Sequence, residues 1–384
     1  MPSLPKPGHG YIVRESLGKG RWKEVFRAVK RNEWRDRALA RFIEEDVTAD
    51  SLLSELKLLV VDRVKRTAGE ENVALPYEAF KGEDGRIYLA EELLFRPLTA
   101  LSPLRDGDQF FRAARDLSSG LAFLHRIGLV HRDLKLDNCG VDHWGVAKIF
   151  DLGSATSEGG KVLGSTLTRA PELFEENARC NKQSDVWALG AVLLALRTGD
   201  YPFVSAEELR SRPPINEKNE KRRLFDEGVK ARALSPEAEA ALRKKISETF
   251  PAGPREILEE MLAFEPAQRP SAESLKEKWE AAHRLWMPAL TKTESRSPVS
   301  DALLEMRSFL HAVSEEQVGM SPRQWARALS QIDRLEAEAK DSPDESVLGE
   351  VRQLRDRISE RRQGAEQNSS AATTLARSDD NLGT

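Results

Sequence analysis

The chain has few of the residues that mark secreted, zinc-binding or membrane-spanning proteins. Its 384 residues include two cysteines, Cys139 and Cys180, which excludes a disulfide scaffold and a cysteine-based zinc site. The longest apolar run, Trp187 to Leu196, has about ten residues, too few to cross a bilayer. The first residues, MPSLPKPGHG, lack the basic start and apolar stretch of a signal peptide. We therefore expect a cytoplasmic protein with no membrane span.

The chain also lacks a strong excess of charge. Lys and Arg together number 59 and Asp and Glu 63, for a formal net charge of −4, which gives no reason to expect a nucleic-acid partner. Hydrophobic residues make up 40% of the chain, a typical value for a globular protein, so collagen-like and wholly disordered classes are excluded. The length favours two to three domains at about 150 residues each.

The first ninety or so residues carry the patterns of short strands around one helix. Gly10–Leu17 and Glu24–Val29 are predicted strands that flank a glycine-containing turn, and Ile87–Leu94 is a further predicted strand. A predicted helix begins at Asp50 and ends near Lys65. From Asp108 the apolar spacing becomes mainly helical, with predicted helices also at 184–196, 235–247 and 254–264.

The chain changes character after about Pro288. Apolar stripes at 303–313, 325–335 and 347–358 predict three short amphipathic helices, and the last twenty or so residues are polar and too poor in apolar surface to fold. The expected organisation is therefore a tail at 1–9, a strand-rich unit at 10–95, a helical unit at 96–288, a helical extension at 299–362 and a disordered tail at 363–384.

One polar loop has a spacing suited to phosphoryl transfer. Asp133 is followed by a lysine two residues on, Lys135, and by an asparagine five residues on, Asn138. Asp151 follows the strand-like segment Val146–Phe150 and precedes a glycine at 153. Phosphoryl transfer needs mainly positioning and positive charge, and these residues suit a loop that orients a hydroxyl, neutralises a phosphate and holds a metal.

With these motifs the chain resembles the eukaryotic-type protein kinase family in its Ser/Thr form. The matches are HRDLKLDN at 131–138, DLG at 151–153, APE at 170–172, DVWALG at 185–190 and the late Arg269, in the family's order, and the resemblance covers roughly residues 10–285. It implies an α+β, bilobal kinase fold, with the N-lobe at 10–95 and the C-lobe at 96–288, followed by the C-terminal helical extension.

The resemblance also implies roles for individual residues. Asp133 matches the catalytic base, Lys135 the lysine that stabilises the transferred phosphoryl group, and Asn138 and Asp151 the Mg²⁺ ligands. ATP and Mg²⁺ are the implied cofactors and a protein Ser/Thr hydroxyl the implied substrate. Ser165 matches the residue beside that hydroxyl. The implied nucleotide contacts are Leu17, Gly18, Gly20, Lys23, Val25, Ala40, Glu55, Asn138 and Asp151.

Two further family matches are architectural. Glu172 is expected to pair with Arg269, and Asp185 to brace the catalytic loop. The C-terminal helices at 299–362 are each too short to be stable alone, so they are expected to dock either on the kinase itself or on a partner.

The N-lobe departs from the family pattern in two linked places. The Gly-rich loop reads LGKGRWKEV, so that Lys23 stands where the third glycine is usual. The third strand, 37–42, contains no lysine to hold the ATP phosphates. Two registers are open for that strand: one places Arg41 at the lysine position, and the other places Phe42 there with Ala40 over the adenine.

The position of Lys23 offers a replacement for the absent lysine. The resemblance implies that Val25 points towards the nucleotide. Residues two apart share a strand face, so Lys23 should point to the same side. The loop and the DLG triplet resemble those of the with-no-lysine kinase family, which carries a lysine at the third-glycine position. The alternatives are a solvated Lys23 and a pseudokinase scaffold that binds partners through its lobes and C-terminal helices.

Overall fold

The structure, a computed structural model, describes most of the region that carries the motifs. The described residues are 4–19, 23–31, 36–42, 72–74, 76–142, 145–157, 159–213 and 220–290, with positions 329, 332, 333, 336, 349, 351–360 and 363 near the C-terminus. The chain divides into two compact units, one of Met1–Glu45, Tyr77–Leu93 and Leu290–Thr384 and one of Asp46–Pro76 and Leu94–Ala289. The helix predicted for 50–65 lies outside the described residues.

The first unit is built on a five-stranded sheet. Its strands are β1 (Tyr11–Lys19), β2 (Lys23–Lys30), β3 (Asp36–Phe42), β4 (Pro76–Lys81) and β5 (Ile87–Glu92), in the order β1-β2-β3-β5-β4. β1, β2, β3 and β5 pair antiparallel. The three strands predicted from the sequence are confirmed, whereas β4 was not singled out by its pattern.

One face of this sheet carries a small apolar core. Its buried members are Tyr11, Ala28, Leu39, Phe80, Tyr88 and Ala90. The Phe80 ring stacks on Tyr11 at 5.4 Å and on Tyr88 at 5.5 Å between ring centroids. Leu39 is fully buried in this cluster, which fixes the face to which the odd-numbered residues of β3 point.

The second unit is mainly helical. Its helices are α1 (Gly107–Arg126), α2 (Lys182–Thr198), α3 (Ala206–Arg210), α4 (Glu220–Ala233), α5 (Ala238–Thr249), α6 (Pro254–Met261) and α7 (Ala272–Leu290). Its short strands are β6 (Arg96–Pro97), β7 (Cys139–Val141), β8 (Ala147–Ile149), β9 (Gly160–Lys161) and β10 (Arg179–Cys180). The α+β expectation of a strand-rich unit and a helical unit is confirmed. The pattern missed α3, α4 and α7, and Pro288, the expected end of the helical unit, lies within α7.

Helix α2 explains the longest apolar run of the sequence. Asn181 and Ser184 form a capping box at its start, and Gly199 adopts the left-handed conformation that ends it. Every residue from 184 to 196 is buried, so the helix is apolar on all sides because it is the centre of the core. Among the described helices none is long and apolar enough to cross a membrane.

The described C-terminal positions include a helical segment at 351–360. Val351, Leu354 and Ile358 are buried along one side of it, as the predicted stripe requires. On its exposed side the Arg355 guanidinium pairs with Asp333 at 2.9 Å and with Glu336 at 2.7 Å. The predicted third helix is therefore confirmed over these residues, and the stripe at 303–313 lies outside the described residues.

A buried ion pair ties distant parts of the helical unit together. The Arg269 guanidinium donates to both carboxylate oxygens of Glu172, at 2.6 and 2.8 Å, and also to the backbone carbonyl of Ala263. The guanidinium carbon lies 5.0 Å from the centre of the Trp187 ring. The predicted pairing of Glu172 with Arg269 is confirmed.

We predict that Arg269→Met lowers the free energy of unfolding by about 3–5 kcal/mol, because it leaves the Glu172 carboxylate without its partner in a largely buried site. Urea denaturation followed by circular dichroism measures the change. Arg243→Met is the matched control, since Arg243 pairs with Glu239 on an exposed helix face and its loss should cost about 0.5 kcal/mol or less. Equal losses of unfolding free energy in the two variants would contradict a stabilising role for the Glu172–Arg269 pair.

Candidate active site

A buried carboxylate fixes the backbone of the predicted catalytic loop. Asp185, in the first turn of α2, is 1% exposed and accepts the backbone N–H of His131 at 2.7 Å and of Arg132 at 3.0 Å. The Nε2 atom of His125 lies 3.1 Å from the same carboxylate. Arg132 has a φ of 67°, a left-handed conformation that persists in a non-glycine residue when its surroundings impose it. The predicted bracing role of Asp185 is confirmed.

The Asp133 carboxylate has three nitrogen atoms around it. The Lys135 Nζ atom donates to it at 2.7 Å, the Ser165 backbone N–H at 3.1 Å and the Asn138 Nδ2 atom at 3.3 Å. These contacts hold a half-buried carboxylate in one orientation beside a lysine. A positioned carboxylate with a cation next to it can accept a proton from a hydroxyl and stabilise charge that develops on the attacked group.

Asn138 and Asp151 offer the oxygen atoms that a magnesium ion prefers. The Asn138 side-chain nitrogen donates to the Asp133 backbone carbonyl at 2.9 Å, so its oxygen is the atom that can act as a ligand. Asp151 lies at the end of a buried strand and has a φ of 60°. Mg²⁺ is commonly held by one or two carboxylates together with substrate phosphates. An amide oxygen and a carboxylate fit this ion, because Mg²⁺ prefers oxygen ligands.

Gly164 allows the segment after the DLG triplet to approach the loop. Its φ is 81°, and a Cβ atom there would lie 2.7 Å from Oδ1 of Asp133, closer than side-chain carbons approach. Only a glycine therefore lets Ser165 donate to that carboxylate. The Thr168 hydroxyl donates to the Leu134 backbone carbonyl at 2.7 Å and fastens the same segment. The sequence motifs did not predict a role for Gly164. The one feature of the sequence that marks this position is a lone glycine before Ser165.

The guanidinium of Arg132 binds the start of the same segment directly, through backbone carbonyls. It donates to the backbone carbonyls of Ser154 and Lys161, the second at 3.1 Å. Val130 and Thr156 exchange backbone hydrogen bonds of 2.7 and 3.0 Å beside it. Burial lowers the pKa of the Arg132 guanidinium from its ordinary value. The segment is thus tied to the catalytic loop through main-chain atoms.

The first unit carries the predicted Gly-rich hairpin. Gly18 lies opposite Val25 across β1 and β2, Val25 lies opposite Ala40 across β2 and β3, and Lys23 lies opposite Phe42. Opposed residues of an antiparallel pair share a face, and residues two apart along a strand also share it. The structure therefore places Lys23, Val25, Ala40 and Phe42 on one face.

Arg41 lies on the other face, among the residues of the apolar core. Its guanidinium donates to the Glu24 carboxylate at 2.7 Å, lies 3.8 Å from Asp84 and stands 5.2 Å from the Phe26 ring centre. Of the two registers left open by the sequence, the one that places Arg41 at the lysine position is wrong, because strand alternation turns it away from Val25. Phe42 shares the face of Val25 and Ala40.

Leu17 lies on β1 and is 47% exposed. Gly20 and Glu55 lie outside the described residues, so the structure does not place them.

The order and spacing of these features match one protein family. The family described as protein kinase domain matches residues 11–279, most of the chain. The chain belongs to the protein kinase family. It is 30% identical over 198 residues to "Serine/threonine-protein kinase pkpA" of Phycomyces blakesleeanus and 30% identical over 209 residues to "NUAK family SNF1-like kinase 1" of Mus musculus. It is 35% identical over 171 residues to "Serine/threonine-protein kinase GIN4" of Saccharomyces cerevisiae.

These alignments cover part of each protein. They span 49%, 51% and 43% of this chain and 31%, 30% and 14% of the three relatives in turn. The aligned region thus spans about a third or less of the length of these three relatives.

Proposed function

We propose that the chain is an ATP- and Mg²⁺-dependent protein serine/threonine kinase in which Lys23 replaces the absent lysine of the third strand. The observation that carries the proposal is the Asp133 carboxylate, held between the Lys135 ammonium, the Asn138 amide and the Ser165 N–H. The matched family and the names of the relatives support the same activity.

In the proposed reaction a substrate hydroxyl oxygen attacks the γ-phosphorus of ATP. The bond between that phosphorus and the β,γ-bridging oxygen breaks, ADP leaves, and the hydroxyl proton passes to the Asp133 carboxylate. The Lys135 ammonium, 2.7 Å from that carboxylate, offsets the negative charge of the transferring group. When bound, Mg²⁺ supplies further neutralisation of phosphate charge, and Asn138 and Asp151 would hold it.

The case for Lys23 rests on strand register. Residues directly opposed across two antiparallel strands have Cβ atoms about 4.5–5.5 Å apart. Lys23 opposes Phe42, so its side chain starts next to the position from which the usual lysine would start. The flexible four-carbon stem of a lysine can cover such an offset and deliver the ammonium to the same phosphates.

The remaining nucleotide contacts complete the proposal. Val25 and the fully buried Ala40 offer a flat apolar surface to the adenine, because a small residue at 40 leaves room for a ring. The other proposed contacts follow the family pattern: Leu17, Gly18, Gly20 and Glu55.

A second candidate function is that of a pseudokinase scaffold. For either function the proposed location is the cytoplasm. One observation favours it: Phe42, an apolar residue 7% exposed, stands at the position where a lysine would bind phosphate. As a scaffold, the chain would bind a partner protein through its lobes and C-terminal helices. The intact set of Asp133, Asn138 and Asp151 argues for the enzyme, since a scaffold has no need of these residues.

We predict that the wild-type chain transfers ³²P from γ-labelled ATP to a serine-containing protein such as casein, or to itself. Asp133→Asn should reduce the rate about 10²- to 10⁴-fold, because the amide cannot accept the hydroxyl proton. The variant keeps the size of the side chain, and circular dichroism checks that it folds. A wild-type chain as inactive as Asp133→Asn at saturating ATP and Mg²⁺ contradicts the kinase and favours the scaffold.

We predict that Lys23→Met lowers the transfer rate about 10²- to 10³-fold, the cost of removing one group that stabilises charge in a transition state. Lys19→Met is the matched control, since Lys19 is an exposed lysine at the end of β1, four residues away in the same hairpin. The control should retain the wild-type rate. Loss of equal size in both variants, or in neither, would show that Lys23 has no special role.

A further inference from the structure

The residues at 154–163, called here the connecting segment, join the DLG triplet to Gly164 and Ser165. The structure describes all of them except residue 158, and they belong to the helical unit. The Ser165 N–H donates to the Asp133 carboxylate directly after this segment. The conformation of the connecting segment therefore determines whether Ser165 reaches the proposed catalytic base.

The Arg132 guanidinium binds the connecting segment at two points. Its Nε atom donates to the backbone carbonyl of Ser154 and its Nη1 atom to that of Lys161 at 3.1 Å. A charged donor forms a stronger hydrogen bond than a neutral one. Both acceptors are main-chain atoms, so the unmodified chain supplies everything that the two contacts need.

Gly160 makes the room that this guanidinium occupies. A Cβ atom at position 160 would lie 2.8 Å from the Arg132 Nη1 atom and 2.5 Å from Cγ2 of Thr156, closer than side-chain carbons approach. The φ of Gly160 is not in the left-handed region, so space and not backbone conformation calls for a glycine here. The sequence at 160 is thus matched to the position of the Arg132 side chain.

Main-chain and apolar contacts hold the rest of the connecting segment. Val130 and Thr156 exchange backbone hydrogen bonds of 2.7 and 3.0 Å, and β9 pairs antiparallel with β10. Ala155 is buried in the core of the helical unit, and Val162 packs against that core. These contacts too are made by unmodified residues.

Phosphorylation commonly orders such a segment by giving an arginine a new negative partner. In this chain Arg132 already binds two carbonyl oxygens of the segment, and a phosphate would have to displace those bonds to pair with it. We propose that Arg132, seated against Gly160, holds the connecting segment in its working conformation, so that the kinase is active in its unphosphorylated form. The inference rests on the proposed kinase function. Arg132 acts here as a positioning residue.

A phosphate-free preparation tests this inference. The chain is produced together with a broad-specificity protein phosphatase and separated from it, and intact mass spectrometry checks that no phosphate remains. We expect the initial rate of ³²P transfer to casein to show no lag and to lie within about twofold of the rate after preincubation with ATP and Mg²⁺, because no ordering step precedes transfer. Ser157→Ala, which removes an exposed hydroxyl of the segment, should keep this rate.

Two variants of the phosphate-free chain test the contact itself. Arg132→Leu should lower the rate about 10- to 100-fold, the cost of a small misplacement at a reacting centre. Gly160→Ala should lower it in the same direction by displacing the guanidinium. Gly228→Ala is the matched control, since no atom lies within 4 Å of a Cβ atom at that position of α4. Hydrogen exchange of peptides that span 154–162 should be faster in the first two variants than in wild type and in the control.

The outcomes separate this inference from the kinase function. A rate that rises tenfold or more on preincubation, with a matching gain in mass, overturns the inference and leaves the kinase function standing. A phosphate-free Arg132→Leu as active as wild type overturns it as well. If no form of the chain transfers phosphate, the kinase function fails, and hydrogen exchange alone then decides the contact: equal exchange in wild type and Arg132→Leu overturns the role of Arg132, and faster exchange in the variant supports it.

Discussion

The geometry of the predicted catalytic loop depends on one buried carboxylate. Asp185 accepts two consecutive backbone N–H groups, those of His131 and Arg132, and so holds the chain in a left-handed turn at residue 132. That turn directs the next side chain, Asp133, towards Lys135 and the segment at 164–165. Because two main-chain donors and a histidine share one carboxylate in a site shielded from water, loss of it would leave several polar groups unpaired at once. The catalytic loop is thus specified by the core helix beneath it.

The strand-rich unit is governed by a different constraint, the alternation of side chains across a strand pair. β2 and β3 pair so that Lys23, Val25, Ala40 and Phe42 form one face, while Arg41 is drawn to Glu24 on the other. Burial acts to lower the pKa of Arg41, but hydrogen bonds to Glu24 and Tyr88 raise it above its ordinary value. The Arg41 guanidinium, paired in this way, stabilises the sheet. The proposed function therefore takes the cation for the phosphates from the facing strand.

Much of this account was readable in the sequence, and the parts that were not have physical reasons. The catalytic loop, the DLG triplet and the Glu172–Arg269 pair have fixed spacings, so they could be placed without coordinates. The register of β3 could not be placed in this way, because the small and apolar residues of ALARF fit either face. The pairing of Val25 with Ala40 decides the register. Gly160 and Gly164 were also missed, since their roles arise from contacts across loops and leave no periodic pattern. The positions of Gly20 and Glu55 remain predictions.

The central claim is that the phosphate-binding lysine lies at the facing residue of β2 instead of on β3. Variants that move this lysine from one strand to the other test the claim most directly. The measurement is the rate of ³²P transfer by Lys23→Gly, by the double variant Lys23→Gly with Phe42→Lys, and by Lys23→Gly with Arg41→Lys. The account predicts that Lys23→Gly is inactive, that the lysine at 42 restores most of the transfer rate, and that the lysine at 41 restores none, because it lies on the opposite face. Full activity of Lys23→Gly, or equal rescue from positions 41 and 42, would contradict it.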